Sequence, residues 1–311
     1  MTNHPISPEF VASKFGISVS TLKSLLGNRV WPALSYRILE PAERDEVIRD
    51  LRKTIDSSTL RVSGSNDNAV WERGWGEIRD AIKAHGFNPA LLRPQYANRH
   101  RIMRFDGNFI DGADADFNYT YDQLLRRICF AYYLKNASKV IELGCGTGTS
   151  QLLLAELLPD AELIASDWAK PSQELIRIMS AHLHRAIKPV CFNMLTLEGW
   201  DALSVDRGSC VLTVHALEQL GSHFETLLTK LLEAKPRFCL HLEPIIELYD
   251  ENNPFDQIAI QYHKRRNYLS GWLTRLRELA KEGKAEIMDV RRLGFGGREH
   301  EAFSVIQWRA L

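Results

Sequence analysis

From residue 139 onward, short apolar runs alternate with stretches of helical character, and this alternation constrains the fold more than any other feature of the sequence. Each apolar run has the length of a buried strand, and the stretches between them have the ordinary length of crossover helices. Strands separated by helices form βαβ units, which build a parallel sheet covered by helices. The predicted strands are residues 140–143, 163–166, 189–192, 211–214 and 238–242.

The pattern changes after the fifth predicted strand. A single long helix is predicted over about residues 256–281, followed by two more strands at 286–290 and 303–308. Only a loop separates these last two strands, so they can pair as a hairpin that closes the sheet edge. We therefore expect an α/β fold with a mostly parallel, seven-stranded sheet.

The N-terminal part has a different character. The chain of 311 residues is too long for one compact core of ordinary size, so we expect an accessory domain over 1–115 and a larger domain over 116–311. The accessory domain is predicted to be mostly helical. Two short helices are predicted over residues 8–27, and residues 12–22 within them resemble a helix-turn-helix of DNA-binding proteins, but the second helix offers only Lys23 for phosphate contact. A helical hairpin packed on its own domain is the favoured interpretation.

Composition limits the classes of partner. Lysine plus arginine and aspartate plus glutamate number 39 each, which argues against a chain-wide basic surface for nucleic acid. The five cysteines stand singly, which indicates reduced thiols rather than a metal site or disulfides. Because the cysteines are scattered, we expect no bound metal. Neither a signal peptide nor a membrane span is recognisable, so we expect a cytoplasmic protein. The sequence leaves a homodimer open.

A glycine-rich turn follows the first predicted strand directly. Gly144, Gly146 and Gly148 end that strand, and a helix is expected to begin at about Thr149. Glycines let the backbone turn sharply and approach a ligand closely. The second predicted strand ends in Asp167, 23 residues after Gly144, where a carboxylate can accept hydrogen bonds from both ribose hydroxyls of an adenosine group.

The spacing of these glycines separates two classes of nucleotide-binding protein. Dinucleotide enzymes use G-x-G-x-x-G, whereas this chain has G-x-G-x-G preceded by Glu142. The string resembles the first motif, E/D-x-G-x-G-x-G, of class I S-adenosylmethionine-dependent methyltransferases. The resemblance extends over about residues 120–311, and includes Asp167, the following Trp168 and the pair Asn193-Met194 after the third strand.

This resemblance implies a Rossmann-like, doubly wound sheet whose last strand is reversed, and S-adenosyl-L-methionine as the cofactor. In that family the residue after the acid often lies over the adenine, and the third strand often ends in a residue that reads the adenine edge. The cofactor residues implied are Glu142, Gly144, Cys145, Gly146, Thr147, Gly148, Asp167, Trp168, Asn193, Met194 and His215.

The candidates for catalysis are His215 and Glu243, which follow the fourth and fifth strands, and His263, which lies on the next helix. Ligands of such sheets lie beyond the carboxyl ends of the strands. His215 is the first candidate for a base, because an unperturbed imidazole titrates near neutral pH, although it can equally be a wall of the cofactor pocket. Glu243 and His263 are predicted to lie beside it, with a helix cap as the alternative role of Glu243.

Aromatic and charged residues are the candidates for contact with the methyl acceptor. Aromatic side chains interleaved with arginine suit a lid that stacks on a ring or sugar, and an arginine on the late helix suits an anionic acceptor. The alternatives are that the tryptophans pack the two domains together and that the late arginines are solvated. The substrate-binding candidates are Trp75, Tyr96, Arg104, Glu218, Tyr249 and Arg266.

These features predict an enzyme that methylates oxygen or nitrogen of a small molecule or a carbohydrate. A methyltransferase of RNA or protein, with the N-terminal helices as a docking module, is the first alternative. The second is a non-catalytic regulator that uses the helix-turn-helix-like segment on DNA.

Overall fold

The computed structural model of the chain describes residues 3–93 and 101–311. The N-terminal part contains two short helices that form a hairpin, two longer helices and four short strands. Its elements, with the helix that leads into the large sheet, are β1 (His4–Pro5), α1 (Pro8–Phe15), α2 (Val19–Leu26), β2 (Ser35–Ile38), α3 (Pro41–Asp56), α4 (Ala69–His85), β3 (Ile102–Phe105), β4 (Asn108–Gly112) and α5 (Phe117–Tyr133).

The remaining part alternates strands and helices as the sequence predicts. Its elements are β5 (Lys139–Leu143), α6 (Thr149–Leu157), β6 (Glu162–Asp167), α7 (Lys170–Leu183), β7 (Ile187–Cys191), α8 (Trp200–Leu203), β8 (Cys210–Val214), α9 (Glu225–Ala234), β9 (Phe238–Glu243), α10 (Pro254–Arg266), α11 (Trp272–Lys281), β10 (Ala285–Arg292), β11 (Phe295–Gly297) and β12 (Ser304–Ala310).

The large sheet has seven strands in the order β10-β12-β9-β8-β5-β6-β7 within the described residues. The five strands from β5 to β9 are parallel, and β12 runs antiparallel to both β9 and β10. Apolar clusters cover both faces, as a buried parallel sheet requires. The prediction of a Rossmann-like, doubly wound sheet closed by a reversed hairpin strand is confirmed.

A second sheet was not predicted. It is antiparallel, has the order β1-β2-β4-β3-β11, and takes its last strand from the connection between β10 and β12. The turn between β3 and β4 is Asp106-Gly107, and both residues have positive φ. This dipeptide is a hairpin signal that sequence reading can detect. The N-terminal part is still mostly helical, and the boundary at residue 115 stays a prediction.

The prediction of one helix over 256–281 is wrong, because two helices occupy this range. Asn267, with a φ of 50°, caps the end of α10 in the left-handed conformation. Gly271, with a φ of 91°, precedes α11. Left-handed residues end an α-helix because its repeating hydrogen bonds cannot continue through them.

Three contacts fix the N-terminal part at the carboxyl edge of the large sheet. Helix α4 packs against α7, where its Glu72 accepts a hydrogen bond from the amide of Lys170 at 2.9 Å. Helix α2, which contains the buried Leu22, packs against α5, and α5 lies after the predicted boundary at residue 115. The interpretation of α1 and α2 as a hairpin packed on its own domain stays a prediction. The amide of Ser63 donates to the carbonyl of Arg266 at 2.8 Å. Among the described helices, none is long and apolar enough to cross a membrane.

Candidate functional site

The glycine turn after β5 has the conformation that its sequence predicts. Gly144, Gly146 and Gly148 all have positive φ, a backbone conformation that residues other than glycine rarely adopt. A Cβ atom on Gly144 would lie 2.4 Å from the Cβ of Ala216, so this position has no room for a side chain. Gly148 caps the start of α6, so the turn leads into a helix N-terminus, which favours negatively charged groups.

Asp167 lies directly against this turn. Its Oδ2 accepts a hydrogen bond from the amide of Gly146, and its Oδ1 accepts one from the amide of Ala169, both at 2.9 Å. Burial raises the pKa of Asp167 to about 6. The acid at the end of the second predicted strand therefore contacts the glycine turn, and its ribose-binding role stays a prediction.

A cavity opens between the turn and the carboxyl ends of β6, β7 and β8. Most of the cofactor residues predicted from the sequence line it, and Trp75 joins them from α4. The predicted residues in the lining are Trp75, Gly144, Gly146, Asp167, Trp168, Asn193, Met194 and His215. The structure adds Trp71, Phe192, Leu195, Ala216, Gln219 and Leu220.

Four predicted cofactor residues shape the turn instead of lining the cavity. Glu142 is buried, and its Oε2 accepts a hydrogen bond from Gln151 at 2.6 Å. Thr147 donates through its hydroxyl to the carbonyl of Leu92 at 2.8 Å. Cys145 is buried, and Gly148 is the N-cap residue of α6.

Two tryptophans of α4 cover the cavity. The rings of Trp71 and Trp75 are stacked with their centroids 5.4 Å apart. The Trp75 ring lies so close to Gly146 that a Cβ there would be 3.3 Å from it. With the ring in this position the cavity has a free volume of about 80 Å³, whereas drug-sized ligands occupy pockets of about 300–1,000 Å³.

Glu243 stabilises the turn after β8 through hydrogen bonds to its main chain. This side chain is fully buried, and its carboxylate accepts hydrogen bonds from the amides of Ala216 and Leu217 at 3.0 Å and of Glu218 at 3.2 Å. Burial raises its pKa to about 7. The position favours the capping role over contact with an acceptor.

His215 lies on that turn with a φ of 53° and lines the cavity. Its ring packs edge to face against the ring of Phe303, with the two ring centroids 4.6 Å apart. Burial lowers the pKa of His215 well below its ordinary value, so the expectation of a near-neutral pKa is wrong and the imidazole is uncharged at pH 7. Its Nε2 is buried and has no hydrogen-bond partner among the described residues.

His263 lies deeper, on α10, and belongs to a pair of imidazoles. Its Nε2 is 3.1 Å from the Nδ1 of His300, and burial lowers the pKa of His263 to about 3. The residue is only 1% exposed and does not line the cavity. Sequence reasoning missed His300 because it lies in the connection between β11 and β12, where no periodicity places a side chain.

Two substrate-binding predictions are corrected by burial and hydrogen bonding. Arg104 is fully buried, with its guanidinium 3.5 Å from the ring centroid of Phe255 and 2.7 Å from that residue's carbonyl oxygen. It is therefore a core residue. The hydroxyl of Tyr249 accepts a hydrogen bond from the amide of Glu301 at 2.9 Å, which ties two loops together. Tyr96 lies outside the described residues.

Glu218 and Arg266 are close enough to interact electrostatically. Burial, followed by the charge of Glu243, raises the pKa of Glu218 to about 8, and the charge of Arg266 opposes this shift. The guanidinium of Arg266 lies 4.6 Å from the ring centroid of Tyr268. Glu218 lies in the turn after β8, and Arg266 is the last residue of α10. Their roles in substrate binding stay predictions.

Comparison with solved structures finds likenesses at low sequence identity. No family model and no curated protein matches the chain. The pyocyanin biosynthetic protein PhzM matches at 14% identity and a TM-score of 0.41, over 63% of this chain and 58% of that one. This chain therefore spans less than two thirds of the length of PhzM.

Two further solved structures match over nearly the whole chain. The N,N-8-amino-8-demethyl-D-riboflavin dimethyltransferase RosA from Streptomyces davawensis matches at 12% identity and a TM-score of 0.42, over 99% of this chain and 90% of that one. The mitomycin 7-O-methyltransferase MmcR matches at 11% identity and a TM-score of 0.41, over 99% and 88%. Identities and TM-scores as low as these carry no argument about this chain. Its fold is established by its own strand order.

Proposed function

We propose that the chain is an S-adenosylmethionine-dependent methyltransferase that acts on oxygen or nitrogen of a small molecule or a carbohydrate. The observation that carries this proposal is the position of Asp167 on the glycine turn, at the wall of a cavity that Trp168 also lines. A carboxylate in that place suits the ribose hydroxyls of adenosine, and the indole suits its base.

The donor set of the cavity fits this cofactor. Asp167 would hold the ribose, Trp168 and Met194 would flank the adenine, and the backbone of Gly144 and Gly146 would face the methionine part. Because the Trp75 ring lies against Gly146, binding is expected to require a shift of that ring. When bound, the cofactor supplies an electrophilic methyl group on a sulfonium.

The protein then has to align the acceptor and remove its proton. His215 is uncharged because of burial, and its Nε2 can accept a hydrogen bond from a hydroxyl or an amine. Glu243 positions His215 indirectly, since it caps the turn that carries the imidazole. The two tryptophans above the cavity can exclude water and stack on the acceptor.

Isothermal calorimetry tests the cofactor assignment. The protein is expected to bind S-adenosylhomocysteine, the demethylated product, and not NAD. Asp167→Ala should weaken binding of S-adenosylhomocysteine by about 1.5–3 kcal/mol, the loss expected for a charged hydrogen-bonding group. Asp160→Ala, at an exposed position before β6, is the matched control and should leave the affinity unchanged. Binding of NAD without binding of S-adenosylhomocysteine would refute the proposal.

A further inference from the structure

Residues 61–64 run beside the turn after β8 and the end of α10, and main-chain hydrogen bonds hold them there. The amide of Ser63 donates to the carbonyl of Arg266 at 2.8 Å, and the amide of Gly64 donates to the carbonyl of Gln219 at 2.9 Å. Asn267 donates through its side-chain amide to the carbonyl of Ser63 at 2.9 Å. These contacts hold Ser63 against Arg266, and Arg61 is only two residues before Ser63 in the chain.

Arg61 and Arg266 lie near each other as two positive charges. Burial lowers the pKa of Arg61, and the charge of Arg266 is the next cause of that lowering. Both guanidiniums lie over aromatic rings, with Arg61 5.1 Å from the centroid of Trp71 and Arg266 4.6 Å from that of Tyr268. Like charges that are brought together in a partly buried place repel each other.

Neither arginine of this pair forms an ion pair within the described part of the chain. Within the described residues, neither guanidinium has a carboxylate oxygen within 4.0 Å, and the Nε of Arg266 is buried without a hydrogen-bond partner. Asp67 attracts Arg61 from beyond 4.0 Å, and its Oδ1 also accepts a hydrogen bond from the amide of Ala69 at the start of α4. The carboxyl of Glu218 interacts with Arg266, and burial raises the pKa of this carboxyl to about 8, which weakens its negative charge near neutral pH.

The pair borders the cavity already described. Trp71, on which Arg61 lies, is part of the cavity wall. Gln219 is also part of that wall, and its Oε1 accepts a hydrogen bond from the hydroxyl of Ser63 at 2.8 Å. An anion held by the two guanidiniums would therefore lie next to the place where an acceptor meets the cofactor.

We propose that Arg61 and Arg266 form an oxyanion-binding subsite, and that the methyl acceptor is an anion that carries a carboxylate or a phosphate group. Guanidinium forks match the geometry of both groups and bind them through two parallel hydrogen bonds. The anion also removes the repulsion between the two arginines. The acceptor class rests on the proposed methyltransferase function, whereas the anion site does not depend on it.

Thermal unfolding of the full chain tests the subsite, with inorganic phosphate and sodium acetate as separate probes. Sodium chloride holds the ionic strength constant. Both probes are expected to raise the Tm of the wild type in a saturable way. Arg61→Gln and Arg266→Gln should each shift the midpoint of this response to at least tenfold higher concentration. Lys264→Gln removes an exposed charge from the same helix and should shift it less than twofold.

Unfolding without either probe separates anion binding from a purely structural role. If the arginines repel each other, Arg61→Gln and Arg266→Gln melt no lower than the wild type in sodium chloride alone. A lower Tm of both variants, or the same response to phosphate and acetate in all four proteins, would overturn the subsite. No response of the wild type to either probe would also overturn it.

Calorimetry with S-adenosylhomocysteine on the same four proteins separates the two proposals. Binding of S-adenosylhomocysteine by all four, together with an anion response that only the two arginine variants lose, supports both. An anion response without binding of S-adenosylhomocysteine supports the subsite and refutes the methyltransferase proposal. Binding of S-adenosylhomocysteine without an anion response refutes the subsite alone.

Discussion

Replacing Glu218 with glutamine should remove a large pH dependence of stability. Burial raises the pKa of this carboxyl from 4.5 to about 8 in the folded protein. The folded state therefore binds the proton more tightly than the unfolded state, and stability falls as the pH rises from about 4.5 towards 8. Because each pH unit in this window costs about 1.4 kcal/mol, the wild type should lose about 3 kcal/mol between pH 6 and pH 8 through this group.

Glu218→Gln replaces the protonated acid with a neutral amide of the same shape. The Oε1 of Glu218 accepts a hydrogen bond from the side-chain amide of Gln219 at 2.8 Å, and a glutamine oxygen can do the same. The variant should therefore match the wild type at pH 6 and exceed its free energy of unfolding by about 3 kcal/mol at pH 8.

Urea denaturation at pH 6, 7, 8 and 9, followed by tryptophan fluorescence, measures this difference. The other buried groups with shifted pKa values are present in both proteins, so the difference between the two curves reports Glu218 together with its charge interaction with Glu243. The exposed Glu77, on α4, provides the control variant Glu77→Gln, which should follow the wild type at every pH. Parallel curves for the wild type and Glu218→Gln would refute the argument from burial.

Three further changes have distinct expected outcomes. Arg104→Ala should lower the free energy of unfolding in urea by about 3 kcal/mol, because it removes a buried guanidinium that contacts Phe255; an unchanged value would contradict the core assignment. His215→Ala should lower turnover by up to about tenfold, the loss of one hydrogen bond from the acceptor to Nε2, with little change in calorimetric affinity for S-adenosylhomocysteine, once native mass spectrometry has identified an acceptor; full turnover would make it a wall residue. Gly144→Ala should abolish S-adenosylhomocysteine binding, since its Cβ would clash with Ala216 at 2.4 Å; retained affinity would show that the turn can relax.

The large sheet could be predicted because its signals are local. Buried parallel strands appear as short apolar runs, and the predicted strand 211–214 differs from β8 by one residue at its start. The small sheet could not be assembled in this way. Its strand β11 pairs with β3, almost two hundred residues earlier in the chain, and no periodicity reveals a contact of that range.

The same division holds for the candidate site. The glycines and Asp167 were predicted because strand ends and turns place them whatever the packing around them. Arg104 and His263 were misjudged because their burial depends on which elements cover them. The left-handed Asn267 ends α10 at Arg266, and the prediction of one continuous helix over 256–281 did not include this break. Arg61 was not singled out because its place in the proposed anion subsite depends on the contact of Ser63 with Arg266, about two hundred residues later in the chain.

The pairing of β3 with β11 restricts how a ligand reaches the cavity. Residues 103–105 and 295–297 form one ladder, so the N-terminal part is joined to the C-terminal connection by main-chain hydrogen bonds. A hinged rotation of the whole N-terminal part would have to break this ladder. Access is therefore expected to depend on a local displacement of α4 and its two tryptophans, so the time a ligand stays bound would be set by one helix rather than by the opening of two domains.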